Sequence, residues 1–243
     1  MMGAFDLEWN DNDLFPSLVY PDTVFLFERM TEATLEILSV GAEQRVLDIG
    51  CGSALDCLEL NRRGCWVVGL EPSQTMITQA KGWIEGSGSP VALVRAVGEH
   101  LPFRRDSFDR IVCKGALDHF SDPVKTVREM ARVLKSKGKV VISIANFESL
   151  SCRLVKREMP SDHTYRFDYS LLKALMADHF EIEECIGVSL LWGLPLWGKL
   201  LAKSPASISR TSLKLLDRLA RRIPAISDVI VLRCCPKPSM LTG

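Results

Sequence analysis

A carboxylate and two glycines stand close together between positions 48 and 52, in the order Asp48, Gly50 and Gly52. Glycines in a turn between a strand and a helix let the backbone approach a ligand closely, and the first helical turn offers unpaired N–H groups. Glu71 follows nineteen residues after Gly52, at the end of the next apolar run. A carboxylate at that place can accept hydrogen bonds from both hydroxyls of a ribose. The spacing therefore predicts a nucleoside-binding site.

The charge of this loop indicates which nucleoside it suits. The dinucleotide fingerprint requires a third glycine, and Leu55 stands at that position. Asp48 would repel a pyrophosphate but attracts a cation, and S-adenosylmethionine carries both an ammonium and a sulfonium. The Gly-Lys-Ser/Thr pattern of a phosphate loop is absent from the sequence, which argues against ATP or GTP hydrolysis. A nicotinamide-dependent oxidoreductase and a cofactor-binding partner subunit without transfer activity stay open as alternatives.

The loop needs a strand before it and a helix after it, and the sequence supplies both. Short runs rich in β-branched residues alternate with stretches whose apolar residues recur at helical spacing. Continuous apolar strands are typical of a parallel sheet covered by helices on both faces, so we predict a doubly wound α/β fold. The predicted strands are 45–49, 65–70, 91–94, 108–113, 139–145, 180–188 and 228–235; the predicted helices are 22–38, 54–63, one capped by Ser73 and one starting at Pro123, with Gly138 ending the turn before the fifth strand.

The segment Asp48–Gly52 resembles motif I of the class I S-adenosylmethionine-dependent methyltransferases. Three further stretches resemble the family in order: 98–103, where the adenine is held; 107–112 with 116–123, the fourth strand and its loop; and 132–143, the turn into the fifth strand. The likeness covers roughly residues 40 to 190 and is strongest to the subgroup that methylates small molecules such as quinone and sterol precursors. It implies a mostly parallel, Rossmann-like sheet of seven strands that closes with an antiparallel C-terminal hairpin.

The resemblance also implies which residues meet the cofactor, S-adenosyl-L-methionine. The aspartate before the loop would orient the methionine ammonium, and the acid that ends the second strand would bind the ribose. Where the family often has an acid near the adenine this chain has Val97, so the contact passes to Glu99 or to the Gly98 backbone. The family also often places a third glycine where Ala54 stands, so we expect a tighter loop. The expected cofactor-binding set is Asp48, Gly50, Cys51, Gly52, Glu71, Pro72, Gly98, Glu99, Cys113 and Lys114.

Methyl transfer is an in-line displacement that mainly requires alignment of the nucleophile, the methyl group and the sulfur. A general base helps when the acceptor is a hydroxyl group of high pKa. The candidates are Asp118, His119 and His163, of which the first two lie in the loop that borders the acceptor pocket in the resembling family. Loop-packing residues are the alternative for both histidines. We expect a small-molecule acceptor of hydrophobic or lipid-like character.

Composition limits the classes of partner and location. Thirty basic residues balance thirty acidic ones in 243 residues, which disfavours general nucleic-acid binding. Residues 1–13 carry no basic patch followed by an apolar run, and no apolar stretch reaches the ~20 residues that span a bilayer. The eight cysteines form no C-x-x-C pair, so we expect reduced thiols in a cytoplasmic protein and no metal site.

One segment differs from the rest of the chain in charge. Between residues 188 and 224 there are seven basic residues and a single acid, Asp217. Trp192 and Trp197 lie in its apolar first part, and its second part predicts an amphipathic helix. Such a helix can lie on an anionic membrane surface, and a lid packed on the sheet is the alternative. The predicted apolar side holds Leu213, Leu216, Leu219, Ala220 and Ile223, and the basic side holds Lys214, Arg218, Arg221 and Arg222.

The expected organisation is a single domain over residues 1–243. We predict an N-terminal helical cap over 1–40, a cofactor-binding core over 41–188 and a basic amphipathic insertion over 189–226 before the last strand. Peripheral contact with an anionic membrane is expected over 190–224.

Overall fold

A computed structural model describes residues 19–156 and 164–237. Residues 1–13, the first part of the expected N-terminal cap, and His163 lie outside these ranges. The helices are α1 Pro21–Leu38, α2 Leu55–Arg62, α3 Gln74–Ser87, α4 Pro123–Val133, α5 Leu150–Val155, α6 Tyr169–Ala177, α7 Pro195–Lys203 and α8 Ala206–Ala220. The strands are β1 Arg45–Ile49, β2 Trp66–Leu70, β3 Ala92–Val94, β4 Phe108–Lys114, β5 Leu134–Ala145, β6 Phe180–Val188 and β7 Val229–Pro236.

The strands form one seven-stranded sheet in the order β3-β2-β1-β4-β5-β7-β6. Strands β1 to β5 pair in parallel, and β7 lies between β5 and β6 and is antiparallel to both. The predicted fold class and the predicted C-terminal hairpin are therefore confirmed. The carboxyl ends of β1, β2 and β4 meet at one edge of the sheet, which is where the glycine loop lies.

Helices cover both faces of the sheet because alternate strand residues point to opposite sides. Leu47 and Ile49 belong to a core under α4 and α6. Val46 and Val112 belong to a second core under α1, α2 and α3. Asp48 therefore lies on the side of the sheet that α1 and α2 cover.

The start of β5 differs from the prediction. Leu134 already pairs with Phe108, and a shift of register leads to the pairing of Arg110 with Lys139. Gly138 thus lies within the strand and does not end a turn. A Cβ atom at Gly138 would come within 2.6 Å of the Leu134 side chain, so the irregular stretch itself requires the glycine.

The segment between β6 and β7 forms two helices that pack against α1. Phe25, Leu201 and Leu213 form a small core with Trp197 beside them. The Arg29 guanidinium lies 3.0 Å from the buried Asp217 carboxylate. One side of α8 is therefore fixed to α1.

The close approach of α8 to β6 depends on Gly187. A Cβ atom there would lie 2.3 Å from the Ala220 carbonyl oxygen, whereas one at Gly82, inside α3, would meet nothing within 4 Å. We expect Gly187→Ala to lower the free energy of unfolding by about 1–3 kcal/mol through overpacking. Gly82→Ala should raise it by about 1 kcal/mol, because alanine is the better helix former. Urea unfolding of both variants checks this, and an unchanged Gly187→Ala would contradict the packing of α8 on β6.

Candidate cofactor site

The glycine loop is fastened to the neighbouring strand by its backbone. The N–H groups of Gly50 and Cys51 both donate to the Leu70 carbonyl, at 2.8 and 3.1 Å. Gly50 has a φ of 72°, and a Cβ atom there would lie 2.4 Å from the Ala116 Cβ. Gly52 also has a positive φ, of 52°. Both glycines are therefore required by the turn itself.

Ala54 occupies the position where the resemblance had suggested a third glycine. It is fully buried, precedes α2 and has a φ of 61°, in the left-handed region. A residue with a Cβ atom costs roughly 1–2 kcal/mol in that conformation. The loop therefore keeps its turn at the expense of local backbone strain.

Glu71 ends β2 and joins two parts of the site. Its carboxylate is fully buried and accepts from the Gly52 N–H at 3.0 Å and the Ser73 N–H at 2.9 Å. Ser73 in turn accepts from the Met76 N–H and caps α3, as predicted. Glu71 therefore connects the glycine loop to the start of α3.

Asp48 is a buried carboxyl group in a crowded electrostatic setting. The Cys57 thiol donates to its Oδ2 at 3.3 Å, and the thiols of Cys57 and Cys51 are themselves hydrogen-bonded. Burial raises the pKa of Asp48 to about 7, and the nearby Asp56 carboxylate adds to the shift. The Lys114 ammonium acts in the opposite direction. Near neutral pH this carboxyl therefore exchanges between its neutral and ionised forms.

Lys114 ends β4 and joins two helices to it. Its Nζ lies 2.7 Å from Asp56 Oδ2 in α2 and donates to Thr31 Oγ1 in α1 at 2.7 Å. Sequence reasoning missed both partners. Asp56 stands in the first turn after the glycine loop, which was a usable signal, whereas no local pattern marks Thr31. The preceding Cys113 is fully buried, and burial raises the pKa of its thiol well above the ordinary value.

The residues expected near the adenine lie where β3 leads towards β4. Glu99 Oε1 accepts from the backbone N–H groups of Ser121 and Asp122, at 2.8 and 3.2 Å. Its other oxygen, Oε2, is buried and has no hydrogen-bond partner. Gly98 is buried, and the Pro72 carbonyl accepts from the Arg95 guanidinium at 2.9 Å. Glu99 therefore fixes the loop after β4 with one oxygen and leaves the other for a donor.

Asp118 and His119 lie in a short 3-10 helix, Leu117–His119, after β4. The Asp118 carbonyl accepts from the N–H groups of Thr164 and Tyr165, at 2.8 and 3.1 Å. The Asp118 side chain is buried, and its Oδ1 lies 4.0 Å from His119 Nε2. The two predicted residues are therefore adjacent in space as well as in sequence, and His163 lies outside the described residues.

Residues 47–142 match the protein family described as a methyltransferase domain. The methyltransferase GfsG of Streptomyces halstedii is 39% identical over 119 residues, which is 48% of this chain and 43% of that protein. The demethylmenaquinone methyltransferase of Mycolicibacterium paratuberculosis is 33% identical over 111 residues, or 46% of each chain. The chain spans less than half the length of these curated relatives.

The fold has a solved counterpart. The crystal structure of YcgJ from Bacillus subtilis aligns with a TM-score of 0.59 and 22% identity over 86% of this chain and 96% of that one. The seven-stranded sheet and the glycine loop after β1 define the Rossmann-like class of fold. Within that class, residues 47–142 of the chain match the methyltransferase-domain family. The resemblance found in the sequence is confirmed.

The raised pKa of Asp48 predicts an unusual dependence of stability on pH. An ordinary aspartate ionises near pH 4 in the unfolded chain, so the folded state loses stability as the pH rises from there to about 7. Asp48→Asn carries no charge and should therefore raise the melting temperature more at pH 8 than at pH 5. Thermal unfolding at both pH values measures the difference.

Asp109 is the matched control for this measurement. Although burial alone would raise its pKa, hydrogen bonds from Lys135 and from the Arg45 N–H hold the pKa of Asp109 below its usual value. Asp109→Asn should therefore lower the melting temperature at pH 8. An equal effect of Asp48→Asn at both pH values would contradict the electrostatic account of this site.

Proposed function

We propose that the protein transfers a methyl group from S-adenosylmethionine to a small, hydrophobic acceptor. The observation that carries this proposal is the set of buried carboxyl groups around the glycine loop. Asp48, Glu71 and Glu99 are 2%, 0% and 7% exposed. A pyrophosphate beside these groups would be repelled, whereas a cationic nucleoside is attracted. This disfavours a nicotinamide-dependent oxidoreductase.

The side chains present fit S-adenosylmethionine. In its ionised form Asp48 would hold the methionine ammonium, and Glu71 would accept from the ribose hydroxyls. Glu99 Oε2, buried without a partner, would accept from the exocyclic amine of adenine. Lys114 is engaged by Asp56 and by α1, so we assign it to positioning the helices around the site, whereas the resemblance had implied contact with the cofactor.

When bound, the cofactor supplies a methyl group on a positively charged sulfur. An acceptor lone pair would form the new bond to that methyl carbon, and the electrons of the broken carbon–sulfur bond would stay on sulfur. This chain would hold both partners in line, which accounts for most of the rate in such a displacement. Where the acceptor is a hydroxyl, we propose that either Asp118 or His119 accepts its proton; His163 stays a third candidate.

An apolar groove between two helices supports a hydrophobic acceptor. It has a volume of about 430 Å³ and lies between α5 and α7, lined almost wholly by apolar side chains: Leu154, Val155, Leu194, Pro195, Leu196, Trp197 and Leu200. Helix α5 starts five residues after β5 ends, so the groove lies towards the sheet edge that carries the glycine loop. One curated relative is named for demethylmenaquinone, which is consistent with such an acceptor.

We also propose that two parts of the chain bind different ligands, as the sequence suggested. Residues 41–188 would bind the cofactor, and residues 189–226 would face the acceptor. Within residues 19–156 and 164–237, no helix combines the length and the apolar character needed to cross a bilayer. We propose that the protein acts in the cytoplasm, with its acceptor reached from a membrane surface.

Calorimetry and turnover test the proposal together. S-adenosylhomocysteine should bind to the protein, and NAD should not. Glu71→Gln should weaken binding of S-adenosylhomocysteine at least tenfold, because an amide N–H₂ group would replace one acceptor oxygen. Glu59→Gln is the control, because the Glu59 side chain lies partly exposed on α2, and it should leave the affinity unchanged. Binding of NAD alone would establish the oxidoreductase, and release of no S-adenosylhomocysteine with any quinone precursor would favour a partner subunit without activity.

Glu99 provides a sharper test of how adenine is held. S-inosylhomocysteine carries a carbonyl oxygen in place of the amine, so a free carboxylate oxygen should discriminate against it. Glu99→Gln can keep an oxygen towards the Ser121 N–H and present its amide N–H₂ to the ligand. We expect the preference for S-adenosylhomocysteine over S-inosylhomocysteine to fall at least tenfold. Glu181→Gln, exposed on β6, should leave the ratio of the two affinities unchanged, and an unchanged ratio in Glu99→Gln would remove this residue from the adenine contact.

A further inference from the structure

Helix α8 has two apolar sides. Leu213 and Ala220 are buried on the side that also carries Ser209 and Asp217 and packs on α1 and β6. Ile208, Leu215 and Leu219 are 57%, 58% and 50% exposed. Leu215 and Leu219 follow Ile208 by seven and eleven residues, so the three side chains lie on one line along the helix. We call these three residues the outer stripe.

The exposed outer stripe differs from the prediction that α8 has one apolar side and one basic side. The sequence had placed Leu213, Leu219 and Ala220 on a single apolar side, but the structure separates Leu219 from the other two. The tryptophans also point inwards. Trp192 Nε1 donates to Thr23 Oγ1 at 3.2 Å, and Trp197 packs beside Phe25. The packed lid and an exposed apolar side are therefore both present, on different sides of α8.

Basic side chains border the outer stripe. By helical geometry Lys214, Arg218 and Arg222 lie along one side of it, and all three are exposed. No ion pair joins these three to any residue of the described ranges, although Arg221 is paired with Glu36 at 2.9 Å. The single acid of α8, Asp217, is buried against Arg29. The exposed part of α8 thus combines apolar and positive surface and carries no acid of its own; Glu184 of β6, which lines the groove beside Arg218 and Leu219, is paired with Arg233 at 3.0 Å.

We propose that the outer stripe of α8 docks on an anionic lipid surface. Cations beside an apolar stripe are the features by which an amphipathic helix binds an interface that carries negative headgroups. A second copy of this chain is a poorer partner, since a symmetric contact would place the same cations opposite one another. The inference rests on the proposed function, in that it names the surface from which a hydrophobic acceptor would reach the site.

Flotation with vesicles tests the docking. The full chain should float with vesicles of phosphatidylcholine containing about one-third phosphatidylglycerol, and it should be released at high salt. Each near-surface cation adds roughly fivefold to partitioning, so Lys214→Gln with Arg218→Gln should weaken it about 30-fold. Leu215→Ser with Leu219→Ser should also release the protein. Arg104→Gln with Arg105→Gln, exposed residues before β4, is the matched control and should bind as the parent does.

The outcomes separate docking from catalysis. The parent and the three double variants should bind S-adenosylhomocysteine equally, because none of the three pairs of substitutions touches the glycine loop. The docking would be overturned if the parent does not bind vesicles, or if the α8 variants and the control variant bind them equally. Neither result would affect the proposed function. The parent could instead form concentration-dependent dimers that the double variant Leu215→Ser with Leu219→Ser abolishes. That result would assign the outer stripe to a contact between two copies and would also overturn the docking on lipid. Loss of S-adenosylhomocysteine binding in the parent would instead refute the proposed function.

Discussion

The site depends on one buried carboxylate. Glu71 accepts from the Gly52 N–H in the loop after β1 and from the Ser73 N–H at the start of α3. These two bonds join segments that are contributed by different strands, and they do so where no water is available to replace them. Because a buried amide without a partner costs roughly 1–3 kcal/mol, the positions of the loop and of α3 are set together. The geometry of the proposed cofactor site is thus fixed by the fold itself.

A second carboxyl group, that of Asp48, shows how much stability the fold loses at this site. Asp48 lies on the same side of the sheet as Asp56, and burial with this neighbour disfavours its ionised form. The Lys114 ammonium between α1 and α2 offsets part of the repulsion. The free site therefore holds more negative charge than its own cations balance, and an incoming positive group would relieve that imbalance. The proposed cofactor would supply such a group, which relates the lower stability here to the proposed function.

The local parts of this molecule could be predicted from its sequence, and the long-range parts could not. The strands, the glycine loop and the cap at Ser73 follow from composition and spacing within short segments. Thr31 was missed because its contact with Lys114 joins residues more than eighty positions apart. The two apolar sides of α8 were merged because periodicity shows that a helix is amphipathic without showing which of its residues a neighbour covers. The hairpin of β6 and β7 followed from family resemblance alone, since an apolar run does not reveal its direction.

The position of β7 has a consequence for how the chain is made. This strand is the last in the sequence, yet it lies inside the sheet between β5 and β6. During synthesis β5 has no neighbour on that side, and β6 has no pairing strand among the described residues, until residues 229–236 emerge. The nascent chain therefore carries two open strand edges while residues 189–228 are made, a state that invites wrong pairing with other chains. Completion of the sheet therefore waits for residues 229–236, long after β5 has been made.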